Sequence, residues 1–124
     1  MPRLGGFGEV WLRGESATGY ARVDWYTPDG LNTWGDGRLM ILGTTGFIEV
    51  RKYVDVAGRD GGDHLFLSTQ QETRYIHCAD APLPYYPSLV RDVRERTETA
   101  MAQSHCFKVM ELALTAQAQA ARLQ

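Results

Sequence analysis

Nothing in the first thirty residues joins a basic segment to an apolar stretch of about 7 to 15 residues, as a secretion signal would. No window comes close to the roughly eighteen consecutive apolar residues of a membrane span. The chain is therefore expected to be unexported and cytoplasmic, with no membrane partner. An excess of one charge is also missing: 13 Lys+Arg stand against 15 Asp+Glu, a formal charge of -2, so there is no general attraction to phosphate backbones. Nucleic acid is accordingly not an expected partner. With cysteine limited to Cys78 and Cys106, a disulfide framework is excluded and free thiols are expected. Glycine disappears partway along: all 13 lie at or before Gly62, which divides the chain into two unlike parts.

What is present suits one globular domain over residues 1–124. Hydrophobic residues make up 44% and charged residues 23%, close to the globular average, which argues against wholesale disorder. By surface scaling, a chain of this size buries roughly two-thirds of what it exposes when unfolded. From Phe7 to Cys78, strand-like runs alternate with Gly, Asp and Pro punctuation at hairpin spacing. Tyr20–Tyr26 alternates most cleanly, with Ala21, Val23 and Trp25 on one face and Tyr20, Arg22, Asp24 and Tyr26 on the other. Leu39–Leu42 and Phe47–Val54 flank the turn Gly43-Thr44-Thr45-Gly46. Asp63–Ser68 and Thr73–Cys78 flank Thr69-Gln70-Gln71-Glu72, and Gly8–Leu12 opens the series. The expected class is α+β, with about six mostly antiparallel strands followed by helices.

The first helix is expected over Tyr86–Thr97, entered through Pro87 and Ser88, with Arg91, Asp92, Arg94, Glu95 and Arg96 as a solvated face. The second, long helix spans about Ser104–Arg122. Its polar residues Lys108, Glu111, Thr115, Gln119 and Arg122 form one narrow stripe, and the remainder is largely apolar. Such a helix either lies between two layers or is covered by something outside this sequence.

Familiar catalytic signatures are missing. Gly5-Gly6-Phe7-Gly8 precedes a strand, whereas a dinucleotide-binding turn follows a strand and opens a helix. There is no phosphate-loop lysine, no nucleophile elbow and no HExxH pair. His77-Cys78 and His105-Cys106 carry zinc-type ligands, but adjacent strand residues point to opposite faces, so no metal is expected. His64, with Asp63 beside it, has the residue type of a general base, although a His next to a glycine turn is expected at the surface. Asp55, Asp60 and Asp63 lack calcium-loop spacing and read as turn residues. The connection Thr27–Gly37 has more to offer. Trp34 presents an apolar platform for a sugar or ring, and Asp36 with Arg38 presents paired polar groups for hydroxyls or a carboxylate, unless the loop merely packs Trp34 back onto the sheet.

The segments Gly19–Trp25, Thr27–Leu31, Trp34–Arg38, Ile41–Glu49 and Arg51–Asp55, with a closing run from His105-Cys106-Phe107 to Ala120, resemble the C-terminal half of the Gfo/Idh/MocA family of glucose-fructose oxidoreductases and inositol dehydrogenases. The resemblance covers nearly the whole chain. It implies an open-faced sheet with helices packed on one face, lining a substrate site and mediating homodimers or larger oligomers. It further implies an NAD or NADP cofactor on the full-length enzyme, bound by an N-terminal Rossmann domain, with a hydroxyl of a sugar, polyol or related small molecule as substrate. The family's nucleotide-binding domain and its catalytic Lys, Asp and His segments lie upstream of the matching region. No catalytic or cofactor-binding residue is therefore expected in this chain, and His105 matches only the last helix.

Three readings follow. The chain is a truncated or separately expressed C-terminal domain of an NAD(P)-dependent dehydrogenase, inactive alone; Pro2 and the early strand suit a cut domain. Alternatively it is a standalone open-sheet dimer that binds a carbohydrate-like ligand or a separate Rossmann subunit. The third reading is an autonomous enzyme using His64 or His77.

Overall fold

A computed structural model describes residues 6–121. The chain divides into two units, Met1–Ala81 and Pro82–Gln124.

All six expected strands are present in the first unit, and every pairing is antiparallel. They form two sheets instead of one. Strand β1 (Phe7–Arg13) pairs with β2 (Thr18–Asp24), Phe7 opposite Asp24 and Arg13 opposite Thr18. Strands β3 (Arg38–Leu42), β4 (Gly46–Arg51), β5 (His64–Thr69) and β6 (Thr73–His77) form a four-stranded meander in sequence order. The break between the sheets has a local cause. The Asp24 carboxylate accepts the Tyr26 amide at 3.0 Å, which bends the chain out of β2 two residues before its expected end, and Pro28 has no amide with which to resume a ladder.

The turns hold the register. Gly43 N donates to Gly46 O at 2.8 Å, and a Cβ at Gly46 would strike the Ser68 carbonyl, so only glycine lets β4 approach β5 there. Thr69 Oγ1 accepts the amides of Gln71 and Glu72, each at 3.2 Å, which closes the β5–β6 turn. This register places Leu39, Val50, Leu65 and Ile76 in one cross-strand row and Ile41, Ile48 and Leu67 in the next, an apolar face. On the opposite face, Arg38, Arg51, His64 and His77 form a row at one end of the sheet. Among the described residues no hydrophobic side chain is fully buried, and Ile41 and Leu42 remain 52% and 75% exposed.

In the second unit, α1 spans Tyr85–Glu95 and α2 spans Gln103–Gln119. Helix α1 begins at Tyr85, one residue before its expected start, with Pro84 as N-cap, and Pro87 still falls within the first turn, where amides have no partner inside the helix. Its end requires a left-handed residue. With no glycine available, Arg96 adopts φ 59°, at a cost of roughly 1–2 kcal/mol. Asp92 offsets that cost. Expected on a solvated face, it is instead buried, and it accepts Thr97 Oγ1 at 2.6 Å, Thr99 N at 2.9 Å, Thr99 Oγ1 at 2.7 Å and Ala100 N at 2.7 Å. Led by the Thr97 hydroxyl and the Ala100 amide, these donors hold its carboxyl far below the usual carboxylate range.

On α2 the polar stripe is tied by Lys108 Nζ to Glu111 at 2.9 Å and by Thr115 Oγ1 donating to the Glu111 carbonyl at 2.8 Å; Arg122 lies outside the described residues. The rest is apolar, with Phe107, Met110 and Leu114 each more than half exposed. No helix among the described residues is long and apolar enough to cross a membrane.

Because the Asp92 pKa is depressed on folding, its contribution is fully present above the unfolded value near pH 4 and is lost as pH falls through the lower folded value. Asp92→Ala should therefore lower the thermal midpoint of helix loss by roughly 5 °C or more at pH 7, followed by far-UV circular dichroism, with the difference from wild type shrinking only in strong acid.

Candidate functional site

The segment between β2 and β3 is anchored by one carboxylate. Asp36 accepts Arg38 Nε at 3.0 Å through Oδ2 and the Val54 amide at 3.4 Å through Oδ1, so it joins the loop to the chain beyond β4. A backbone bond from Lys52 N to Gly37 O at 2.8 Å draws the same two segments together. Burial pushes the Asp36 carboxyl up, but the bond from Arg38, the Val54 and Tyr53 amides and the Arg38 charge outweigh it, and the pKa is lowered. Asp36 is thus a carboxylate at neutral pH. Thr27 Oγ1 fixes the other side of the loop by donating to the Trp34 carbonyl at 3.1 Å.

These anchors border a cavity of about 710 Å³, and Trp34, Asp36 and Arg38 all line it. The structure brings the three sequence candidates to one place. Trp34 does not lie flat on the sheet. It stands edge-on to Trp25, centroids 5.5 Å apart at 78°, and stays 84% exposed. The Asp36 contact uses only Nε of Arg38, which leaves the two terminal nitrogens of an exposed guanidinium for a ligand.

Sequence reasoning missed four further lining residues: Arg22, Asp24, Trp25 and Lys52. Arg22 Nε reaches Asp24 Oδ2 at 3.2 Å, the same two-residue spacing as Asp36 and Arg38. That spacing puts both members on one face of extended chain, and its occurrence on either side of the loop was a usable signal. Lys52 gave no such signal, because only the Gly37–Lys52 backbone bond brings it to the cavity.

His64 is the clearest correction. Expected at the surface, it is fully buried, because its register position lies inside the row from Arg51 to His77 and not at the rim of the turn. Its Nδ1 lies 2.8 Å from the Tyr75 hydroxyl, and its Nε2 is buried without a hydrogen-bond partner among the described residues. Asp63 is held through its backbone: at φ 59° its amide donates to Lys52 O at 3.0 Å and its carbonyl accepts Cys78 N at 2.8 Å, and among the described residues no bond joins its carboxylate to His64. Nothing here pairs a base with an orienting carboxylate. His77 has its ring 6.2 Å from that of His64. Asp55 does serve a turn, accepting Arg59 Nη1 at 2.8 Å and the Arg59 amide at 3.2 Å. Among the described residues no three His, Cys, Asp or Glu side chains gather as metal ligands, and Cys78 and Cys106 are unpaired.

No family model matches this chain, and no curated protein matches it. Among solved structures it is similar to one described as a "putative oxidoreductase" from Erwinia carotovora atroseptica SCRI1043, with 47% identity and a TM-score of 0.88. The match covers 96% of this chain and 36% of that one, so this chain spans about a third of that protein's length.

Asp36→Ala should free the loop from β3 and from Val54. Exchange of the Val54 amide with solvent should then accelerate roughly tenfold or more while amides inside β4 and β5 keep their protection, measured by hydrogen exchange. Unchanged exchange at Val54 would remove Asp36 as the anchor.

Proposed function

We propose that this chain is the C-terminal substrate-binding and assembly part of an NAD(P)-dependent oxidoreductase of the Gfo/Idh/MocA type, acting on a hydroxyl of a sugar, polyol or related compound. The observation that carries this reading is the 47% identity over 96% of the chain to a protein described as an oxidoreductase, of which the chain spans 36%. A protein of that length has room for a nucleotide-binding domain.

The described residues do not fit a nicotinamide dinucleotide. Such a cofactor lies where a parallel strand turns into a helix, and here every strand pair among the described residues is antiparallel, with Gly6 preceding β1 and Gly8 inside it. No step of hydride transfer is assigned to this chain. Its contribution is to position substrate. Trp34 supplies a flat apolar surface, the terminal nitrogens of Arg38 supply donors, and Asp36 keeps the Arg38 guanidinium in place.

Assembly has its own support. Leu39, Ile41, Ile48, Val50, Leu65, Leu67 and Ile76 share one face of the meander, and fully covering a side chain of this kind contributes roughly 1.5–3 kcal/mol. The proposed cover is a second copy of the protein, giving a homodimer or larger homo-oligomer.

An antibody raised to this chain should detect a native polypeptide near roughly 40 kDa, the sum of this domain and a Rossmann domain. In that enzyme, Trp34→Ala and Arg38→Ala should each weaken substrate binding roughly tenfold and leave nicotinamide affinity unchanged. Saturable NAD(H) binding by the 124-residue chain alone would overturn the division of labour. For assembly, sedimentation at micromolar concentration should give a dimer or larger species, and a monomer would refute it.

A further inference from the structure

Three cationic side chains and two carboxylates line the cavity. Each carboxylate has both oxygens engaged. Asp24 accepts Arg22 Nε at 3.2 Å through Oδ2 and the Tyr26 amide at 3.0 Å through Oδ1. Asp36 likewise accepts Arg38 Nε at 3.0 Å and the Val54 amide at 3.4 Å. These pairs cancel two positive charges but occupy only one nitrogen of each guanidinium. Lys52 is left over. Its Nζ lies 5.0 Å from the centre of the Tyr53 ring, and it makes no ion pair among the described residues. The cavity walls therefore carry one net positive charge and four terminal guanidinium nitrogens outside these pairs, two of them on Arg22, whose guanidinium lies 4.8 Å from the centre of the Phe7 ring. Above them stands the Trp25–Trp34 pair, a surface suited to the C–H face of a ring.

A neutral polyol has equal need of donors and acceptors, because every hydroxyl is both. A wall with three cations, one of them unpaired, against two ion-paired carboxylates is better matched to an oxyanion, and a guanidinium can meet such a group with two parallel bonds. Resting on the substrate-site reading above, we propose that the ligand is an anionic carbohydrate. Its ring lies against Trp34, and its carboxylate or phosphate is held by Lys52 together with the free ends of Arg38 and Arg22. Lys52 is then the residue that selects charged sugars over neutral ones.

The test titrates the tryptophan fluorescence of the full-length protein with glucose, glucuronate and glucose 6-phosphate, at low salt and at about 0.15 M salt. At least one anion should bind tenfold or more tightly than glucose, with the advantage shrinking as salt rises. The tighter of the two anions identifies the source of the charge. Lys52→Gln should lower the affinity for the preferred anion roughly tenfold and remove most of its salt dependence, and Lys52→Arg should restore most of both. Glucose binding as tightly as both anions overturns the proposal and leaves the substrate site standing. Saturation by none of the three overturns both. Should the Lys52→Gln protein fail to fold, the wild-type preference and its salt dependence decide the matter by themselves.

Discussion

Backbone hydrogen bonds hold six strands in register here, yet water competes for every one of them, and a sheet persists only when at least one face is kept dry. This chain does not dry its own faces. Among the described residues the only buried side chains are polar ones, Asp55, His64 and Asp92, while Leu39, Met40, Ile41 and Leu42 are all more than half exposed along β3. The usual order is inverted: polar groups are tucked into turns and ladders, and aliphatic groups face outward. Such a fold is stable as one side of an interface, and the excess apolar surface of α2 follows the same logic. In the proposed oxidoreductase, another domain and a second copy would supply that cover.

Within that frame buried and half-buried carboxylates act as fasteners. Asp36 ties loop to sheet, Asp92 ties a helix end to the turn after it, and Asp55 holds Arg59, whose guanidinium lies 4.2 Å from the centre of the Tyr75 ring. Each is an aspartate, whose short side chain reaches backbone amides nearby in sequence or space. Asp36 and Asp55 each engage one nitrogen of an arginine, and at the cavity the free end of Arg38 belongs to the candidate site.

Much of this was legible in the sequence because the information was local. Alternation between Tyr20 and Tyr26, the Gly43–Gly46 and Thr69–Glu72 turns and the polar stripe on α2 all lie within a few residues of one another, and each element falls within a few residues of its expected bounds. Trp34, Asp36 and Arg38 were also found together, since a strand-entry loop with that composition is unusual. What escaped notice depends on pairing at a distance. His64 is buried by register, flanked by Arg51 on β4 and His77 on β6, and no neighbour in sequence announces it. Lys52 reaches the cavity through a backbone bond to Gly37, fifteen positions earlier. The division into two sheets turned on the bond between Asp24 and the Tyr26 amide, too small a signal to separate from ordinary turn chemistry. Asp92 looked like one charge among five on α1 until its four donors were placed.

The strictly sequential order β3-β4-β5-β6, with β1 and β2 joined by their own tight turn, means that every strand pairs with its neighbour along the chain. Apart from the longer connection 52–63 between β4 and β5, the loops joining paired strands are short and close fast, and the hairpins can form one after another as the polypeptide leaves the ribosome. The apolar face is then complete before anything has covered it. During that interval the nascent chain presents rows of Leu, Ile and Val to water, the kind of surface that chaperones hold and that aggregates recruit. A meander that assembles early and is sheltered late ties the yield of the protein to how quickly its cover arrives.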